Sequence, residues 1–230
     1  MQNKIIALAI AATLFTSQHA MAEYEEEGGI WVNATAQGNL PVENFRWFTE
    51  VQPRWRDGGK SADQLLLRPA VSYKLSPQTS IWLGYLNMKA WKIDGTPLKD
   101  EHRIWQQVLH NFEPIDTVHI MSRTRLEQRR LDGGNDTGLR LRQMIKLTMP
   151  LQDSPTVSWV LQDEYWFNFN DTDWGARRGY DQNRLFAGVA WAVSPKLIIE
   201  TGYMNRYLNR PTKPTDRMDH ILNTNLFFNF

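Results

Sequence analysis

The sequence predicts an all-β fold: an antiparallel transmembrane β-barrel, built as an up-and-down meander, that follows a signal peptide. Three observations support this prediction. Segments of about ten or more residues alternate between apolar and polar side chains, and a tilted membrane strand needs this length. Short turns alternate with longer polar loops, as they do at the periplasmic and external ends of an outer-membrane barrel. The chain also ends in an alternating strand whose last residue is aromatic, Phe230.

The composition fits one folded domain and excludes several classes of protein. The 230 residues are 42% hydrophobic and include ten Trp, which is too much apolar surface for an intrinsically disordered chain. Beyond the N-terminal segment, no run approaches the ~20 apolar residues of a membrane-spanning helix. The absence of Cys excludes disulfides, thiol catalysis and thiolate metal sites. A net charge of +1 gives no general attraction to nucleic acid, so we expect no nucleic-acid partner.

The first 22 residues have the three regions of a signal peptide. Lys4 supplies the positive charge, residues 5–15 form a short apolar core, and Ala20-Met21-Ala22 gives the cleavage pattern of small residues. We therefore expect residues 1–22 to be removed and residues 23–230 to form a barrel in the outer membrane of a Gram-negative bacterium. A retained amphipathic anchor is the alternative. A lipid anchor on Cys is excluded.

Period-two alternation is clearest at Phe45–Arg56. Phe45 and Trp47 lie on one face of this segment, and Arg46 and Arg54 lie on the other. The alternation continues at residues 65–75, 118–131, 139–148, 157–169, 185–193, 197–207 and 219–230. It is weaker at residues 30–37, 81–88 and 101–112, and the last two segments give no clear assignment of faces.

The final strand resembles the assembly signal of bacterial outer-membrane barrels. Leu226, Phe228 and Phe230 share its apolar face, and Asn225 and Asn229 lie on the other. We expect the barrel-assembly machinery to bind this strand. A soluble antiparallel barrel that ends in Phe is the alternative. Aromatic residues near the strand ends instead favour girdles at a membrane interface, with outer-membrane lipid against the rest of the apolar face.

The candidate strands number eleven, whereas a single-chain barrel with both termini in the periplasm needs an even number. Either the segment 30–37 does not span the membrane, which gives ten strands, or one strand is hidden, which gives twelve. Residues 23–29 are too acidic and glycine-rich for the hidden strand, and Glu25-Glu26-Glu27 is best interpreted as a solvated tail. We therefore expect a monomeric barrel of about 10 to 12 strands and favour ten.

The charged face of the strands is expected to line the lumen, where arginine is in excess. With Arg56 and Lys74 included, the cations on this face outnumber the carboxylates by thirteen to four. Without residues 1–22, which contribute Lys4 alone, the whole chain is neutral, with 25 basic and 25 acidic side chains. The predicted lumenal network comprises Arg46, Glu50, Arg54, Arg68, Arg123, Arg125, Glu127, Arg129, Arg140, Arg142, Lys146, Glu164, Arg184, Glu200 and Arg206.

Two interpretations of this network stay open. Buried charges must be paired or hydrated, so Arg–Glu pairs can simply fill a narrow lumen. Alternatively, the positive excess lines a narrow, water-filled pore that favours anions. The most concentrated patch is expected where two adjacent strands bring together Arg123, Arg125 and Arg129 with Arg140, Arg142 and Lys146. Since like charges across a ladder repel, this patch requires counter-ions, water or an anionic ligand.

Motifs for catalysis and metal binding are not found. His102, His110, His119 and His220 are scattered, and neither HExxH nor GxSxG occurs. We therefore predict neither enzymatic activity nor a cofactor. We expect His102 and His220 near the outer rim together with Asp100, Glu101 or Asp219, so a surface enzyme acting on lipid or peptide is one alternative. A soluble periplasmic ligand-binding barrel is the other.

The segment Arg123-Thr124-Arg125-Leu126-Glu127-Gln128-Arg129 resembles the RxRLExR strand of an uncharacterised outer-membrane family, domain of unknown function 2490. Other fragments are similar in the same order: Glu50-Val51-Gln52-Pro53-Arg54, Glu101-His102-Arg103, Leu139-Arg140-Leu141-Arg142, Glu164, the stretch from Asn183-Arg184-Leu185 to Gly188, and Gly202-Tyr203. The resemblance covers most of the chain after residue 22. It implies an outer-membrane β-barrel and no established activity.

Overall fold

The computed structural model describes residues 24–152 and 154–230, which form eleven β-strands. The predicted signal peptide lies outside the described residues. The strands are β1 (Tyr24–Asn39), β2 (Phe45–Arg56), β3 (Ser61–Lys74), β4 (Thr79–Ala90), β5 (Glu101–Asn111), β6 (His119–Leu131), β7 (Gly138–Leu151), β8 (Ser154–Asn168), β9 (Gly179–Ser194), β10 (Leu197–Leu208) and β11 (Asp216–Asn229). Among the described residues, none of the helical segments has the length and apolar character needed to cross a membrane.

The strands close into a single barrel in which each strand pairs with the next one in the chain. The predicted all-β barrel of ten to twelve strands is therefore confirmed. Every ladder between consecutive strands is antiparallel, but β1 and β11, which close the barrel, run parallel from Tyr24↔Asp216 to Gln37↔Asn229. This closure follows from the strand number, because the first and last strands of a meander with an odd number of strands point the same way.

The preference for ten strands is corrected by β1, which is a full strand and begins at Tyr24. The interpretation of the acidic segment as a solvated tail was also wrong. Glu25 and Glu27 belong to the ladder with β11, and their carboxylates lie 3.0 Å from Arg210 and 3.3 Å from Arg217. Arg217 on the last strand and Arg210 in the loop before it therefore stabilise an acidic segment that the sequence analysis excluded from the strands.

The two ends of the barrel differ in their connections. Residues 40–44, 75–78, 112–118 and 195–196 lie at the short-turn end, where the chain also terminates. Residues 57–60, 91–100, 132–137, 169–178 and 209–215 form the long-loop end. Because β1 is parallel to β11, β1 begins at the long-loop end, opposite the C-terminus.

The outer surface of the barrel is apolar and the ionic rows point inward. On β2, Val51 is 42% exposed whereas its neighbour Glu50 is 5% exposed, and Leu67 and Arg68 show the same contrast on β3. This orientation is the reverse of a soluble barrel, which buries its apolar rows, and it suits an outer face in contact with lipid.

The lumen nevertheless contains more apolar side chains than the charged pattern indicated. Trp31, Val160, Phe186, Met204 and Ile221 form one buried cluster. A second buried cluster consists of Leu66, Leu86 and Trp105. The prediction that the charged face alone lines the lumen is thus corrected at these positions. The members of each cluster come from neighbouring strands, so the inward apolar side chains pack beside one another along the wall.

The direction of β1 predicts which residues face the cell exterior. If the long loops lie outside, as in outer-membrane barrels, Glu26→Cys should react on intact cells with a maleimide too large to cross the outer membrane. The same reagent should label Asp94→Cys in the β4–β5 loop. Glu113→Cys at the short-turn end should react only after lysis. The natural chain has no Cys, so labelling reports the introduced residue alone. Labelling at Asp94→Cys without labelling at Glu26→Cys would contradict the parallel closure.

Candidate functional site

The lumen has an outer ionic layer near the long loops. We define this layer as the inward side chains of Glu101, Arg103, Glu127, Arg129, Arg140, Arg206 and Asp219. All of them lie within a few residues of the long-loop end of their strands. These side chains come from β5, β6, β7, β10 and β11.

Glu127 is the most buried acid of this layer, with no exposed side-chain surface. Arg140 donates from Nη2 to Oε2 of Glu127 over 2.5 Å, and Arg142 donates from Nη1 to Oε1 over 2.8 Å. Arg142 also donates from Nε to Glu164 over 2.9 Å. Removing one member of a buried charge group leaves its partners uncompensated, so Glu127 holds two guanidinium groups in place.

Two further acids complete the layer. Glu101 accepts from Nε of Arg103 over 2.7 Å and from Nε of Arg129 over 2.6 Å. Asp219 pairs with Arg206 from the neighbouring strand and accepts from Nε of Arg217 over 2.5 Å. These acids were missing from the predicted network: the faces of residues 101–112 were unassigned, and Asp219 was expected at the outer rim.

Below the ionic layer, three tryptophans carry stacked arginines. Trp31, Trp105 and Trp166 point into the lumen, and we call them the aromatic floor. The Cζ atoms of the arginines lie 3.8 to 4.2 Å from the ring centroids for Arg54 on Trp31, Arg125 on Trp105, and Arg140, Arg142 and Arg184 on Trp166. Aromatic faces attract guanidinium groups, especially where water is excluded, but they do not neutralise the charge.

Three of the stacked arginines have no carboxylate within hydrogen-bonding distance among the described residues. Arg54 donates to the amide oxygens of Gln52 and Gln64, and Arg125 donates to that of Gln107. The nearest carboxylate to Arg125 is Glu127, 4.0 Å away. Arg184 lies between Trp31 and Trp166. These guanidinium groups are only 6%, 4% and 6% exposed for Arg54, Arg125 and Arg184, so they are buried cations without a direct counter-charge.

The same region holds N–H groups that find no acceptor among the described side chains and backbone. They are Nε of Arg54, Arg68, Arg123 and Arg184, Nη1 of Arg125, and the indole Nε1 of Trp105. Buried donors are nearly always satisfied in folded proteins. Their concentration here marks a place where an acceptor from outside the chain would be stabilised.

These donors border a cavity of about 530 Å³ that extends from the aromatic floor toward the short-turn end. We call it the short-turn cavity. Gln37, Thr148 and Asn229 line it near the rim, and Arg54, Arg125 and Arg184 line it at the floor. Members of the outer ionic layer such as Glu127 and Arg140 lie beyond the floor. The cavity therefore lies mainly on the short-turn side of the floor, and most of the ionic layer lies on the long-loop side.

The structure places the predicted network along the whole depth of the lumen. Four predicted members belong to the ionic layer: Glu127, Arg129, Arg140 and Arg206. The predicted residues that border the cavity are Glu50, Arg54, Arg68, Arg123, Arg125, Arg142, Lys146, Glu164, Arg184 and Glu200. Arg46 shares the inward face of β2 but does not line the cavity.

The predicted cluster of like charges on β6 and β7 forms as expected, and nearby acids offset it. Arg125 lies directly opposite Arg142, and Glu127 lies opposite Arg140. Arg123 donates to Glu164 over 2.7 Å, and Lys146 donates to Glu200 over 2.5 Å. Acids from β6, β8 and β10 thus lie between the cations. The β6–β7 ladder alone does not reveal the acids of β8 and β10.

The β8–β9 loop contacts both the β6–β7 loop and the outer ionic layer. Asp173, in the β8–β9 loop, accepts hydrogen bonds from the backbone N–H groups of Asn135 and Asp136, and these bonds lower the pKa of its carboxyl below 3.8. The Asp173 carboxylate therefore accepts these hydrogen bonds fully at higher pH, and the interaction between the two loops weakens as the pH falls through the lowered pKa. The adjacent Trp174 stacks on Arg129 of the ionic layer, 5.0 Å from its Cζ to the ring centroid.

The histidines singled out in the sequence lie on the outer surface near the long loops. His102 contacts Tyr85 over 2.5 Å and Asp132 over 3.2 Å, and His220 contacts Tyr203 over 2.6 Å. The expected acids Asp100 and Glu101 are therefore not the closest acidic partners of His102. Stacked Tyr–His pairs near strand ends suit an interfacial aromatic girdle. Among residues 24–152 and 154–230, no group of three or more His, Asp or Glu side chains is placed to hold a metal.

The predicted assembly signal lies at the short-turn end of β11. Leu226 and Phe228 share the outward face of the strand, and the ring of Phe230 stacks on Trp47 of β2, with 6.0 Å between centroids. The terminal aromatic residue therefore packs against the neighbouring part of the barrel wall.

Neutralising Glu127 should destabilise the barrel strongly. Glu127→Gln leaves Arg140 and Arg142 undercompensated in a buried site, and breaking such a group costs about 3 to 5 kcal/mol. We expect a lower midpoint in urea unfolding of the detergent-solubilised protein, followed by tryptophan fluorescence. Glu43→Gln, in the exposed β1–β2 turn, is the matched control. Equal midpoints for the two variants would mean that the ionic layer does not support the fold.

The comparisons with known proteins agree with this architecture. An uncharacterised protein of Methylorubrum extorquens is 34% identical over 226 residues, which cover 98% of this chain and 97% of that protein. Among solved structures, the NanC porin is similar with a TM-score of 0.52 and 10% identity, over 88% of this chain and 99% of that chain, and this likeness shows a shared barrel fold. The β-domain of the Bordetella autotransporter BrkA gives a TM-score of 0.45 at 12% identity, over 79% of this chain and 82% of that chain. Residues 28–218 match the family described as protein of unknown function DUF2490, and the chain therefore belongs to that family.

Proposed function

We propose that this protein is an outer-membrane barrel whose lumen is a narrow, anion-favouring pore, closed in the present conformation by the outer ionic layer. The observation that carries the proposal is a set of three buried arginines that border one cavity, Arg54, Arg125 and Arg184, none of which has a carboxylate within hydrogen-bonding distance among the described residues. Charged rings lining a pore select ions of the opposite sign. A permeating anion would offset charges that the described chain leaves uncompensated.

The proposal includes the route to the membrane. Residues 1–22 direct export, and the apolar outer face contacts outer-membrane lipid. The strand that ends in Leu226, Phe228 and Phe230 engages the barrel-assembly machinery. The barrel works as a monomer, and its lumen conducts rather than catalyses.

The competing interpretation is a lumen that ion pairs simply fill. The ionic layer supports that interpretation on the long-loop side, where Glu101, Glu127 and Asp219 each contact at least two arginines. On the short-turn side, Arg68, Arg123 and Lys146 are still paired with acids, but Arg54, Arg125 and Arg184 border the cavity without a hydrogen-bonded carboxylate. We therefore assign the ionic layer to closure and the arginines below it to anion attraction.

Planar-bilayer recording tests the pore. We expect brief, low-conductance openings with a reversal potential on the anion-selective side in a KCl gradient. Arg125→Gln should lower the anion-to-cation permeability ratio about sixteenfold, since a unit charge ~5 Å from a passing ion attracts an anion and repels a cation by about 0.8 kcal/mol each in water-like surroundings.

Arg130→Gln supplies the control, because Arg130 is exposed on the outer face of the same strand. No current from folded protein at any voltage would overturn the pore. A ratio that Arg125→Gln leaves unchanged would overturn the role of the buried arginine.

A further inference from the structure

Both walls of the short-turn cavity carry polar and apolar side chains, and one wall has a distinct apolar patch. On the side formed by β2 to β6, its lining includes Phe48, Trp82, Leu109 and Met121. The rings of Phe48 and Trp82 meet edge to face with 5.6 Å between centroids. Such a surface accepts a flat apolar group and offers little to a bare inorganic ion.

The wall formed by β7 to β11 and β1 is mostly polar. Gln162, Asn225 and Asn229 line this side, together with the Lys146–Glu200 pair. Asn225 donates to Glu200 over 3.0 Å, so these groups form a connected network. This wall can donate and accept hydrogen bonds along one side of a bound molecule.

The floor of the cavity recognises negative charge. Arg54, Arg125 and Arg184 are more than nine-tenths buried, and each has at least one N–H group without an acceptor among the described residues. Water can satisfy a hydrogen bond but does not cancel a buried charge, whereas a carboxylate does both.

The size of the cavity points to a molecule larger than chloride or phosphate. Its volume of about 530 Å³ lies within the range of roughly 300–1,000 Å³ that is typical of sites for small organic ligands. A small inorganic anion would contact the floor and leave the apolar wall unused.

We infer that the short-turn cavity binds an organic carboxylate with an apolar, flat body: the carboxylate contacts the arginine floor and the body lies against Phe48 and Trp82. This inference rests on the proposed anion-favouring lumen and names the class of ligand. Because the cavity opens at the short-turn end, the ligand enters or leaves from that side when the ionic layer is closed.

Titration calorimetry of the full-length, folded barrel with three probes tests the inference. Phenylacetate carries both features, acetate lacks the ring, and phenylacetamide lacks the charge. We expect phenylacetate to bind about tenfold or more tightly than acetate, because burial of its ring removes apolar surface from water. Phenylacetamide should bind at least about tenfold more weakly than phenylacetate, because hydrogen bonds to charged groups are stronger than neutral ones.

Two variants separate the parts of the site. Arg125→Gln should weaken phenylacetate and acetate alike, whereas Met121→Gln should weaken phenylacetate and leave acetate unchanged. Arg130→Gln on the outer face should change neither. Heat-modifiable migration on a gel confirms that each variant is folded before titration.

The outcomes distinguish this inference from the proposed pore. Equal affinity for phenylacetate and phenylacetamide would overturn recognition of the carboxylate. Equal affinity for phenylacetate and acetate would overturn the role of the apolar wall. Anion selectivity in bilayers without phenylacetate binding would reject the ligand class and leave the pore standing. Phenylacetate binding by a barrel that carries no current would reject the pore and leave the binding site.

Discussion

The balance of charge inside a closed lumen is the constraint on which the rest of the structure depends. The strands close into a barrel, so their inward side chains share one narrow space, and many of these side chains are guanidinium groups. Near the long loops, Glu101, Glu127 and Asp219 each hold two or more arginines and fill the lumen. Below them, aromatic faces and amide oxygens take the place of carboxylates around Arg54, Arg125 and Arg184, and these arginines border the cavity. Paired and unpaired arginines therefore meet at the floor of the cavity.

Closure by a parallel pair has a consequence for the two ends of the molecule. It satisfies the edges of β1 and β11, which would otherwise present unpaired backbone groups to lipid. It also places the start of β1 at the opposite end from Phe230. The acidic residues at the start of β1 then meet Arg210 and Arg217 near the long loops. The parallel seam thus brings an acidic segment to a part of the barrel that is rich in arginine.

The three inward tryptophans lie between two parts of the lumen that differ in chemistry. Trp31, Trp105 and Trp166 are large enough to separate the ionic layer from the space below, and their faces accept guanidinium groups at close range. A glycine makes this possible for one of them, since a Cβ at position 84 would lie 2.2 Å from the ring of Trp105. Arginines stacked in this way keep N–H groups directed at the cavity, and the proposed function and the proposed ligand both rely on these groups.

The sequence by itself determined the barrel class, the faces of most strands and the family resemblance. Alternation such as that of β2 is a local property, and one strand suffices to show which side chains share a face. It did not determine the direction of closure or the pairing of Glu25 and Glu27, because both depend on a strand nearly two hundred residues away. The sequence also did not identify Glu101 and Asp219 as partners of lumenal arginines, and it did not indicate that three tryptophans face the lumen. Only the tertiary structure decided these points, since contacts across a lumen depend on barrel diameter and strand stagger, which no single strand encodes.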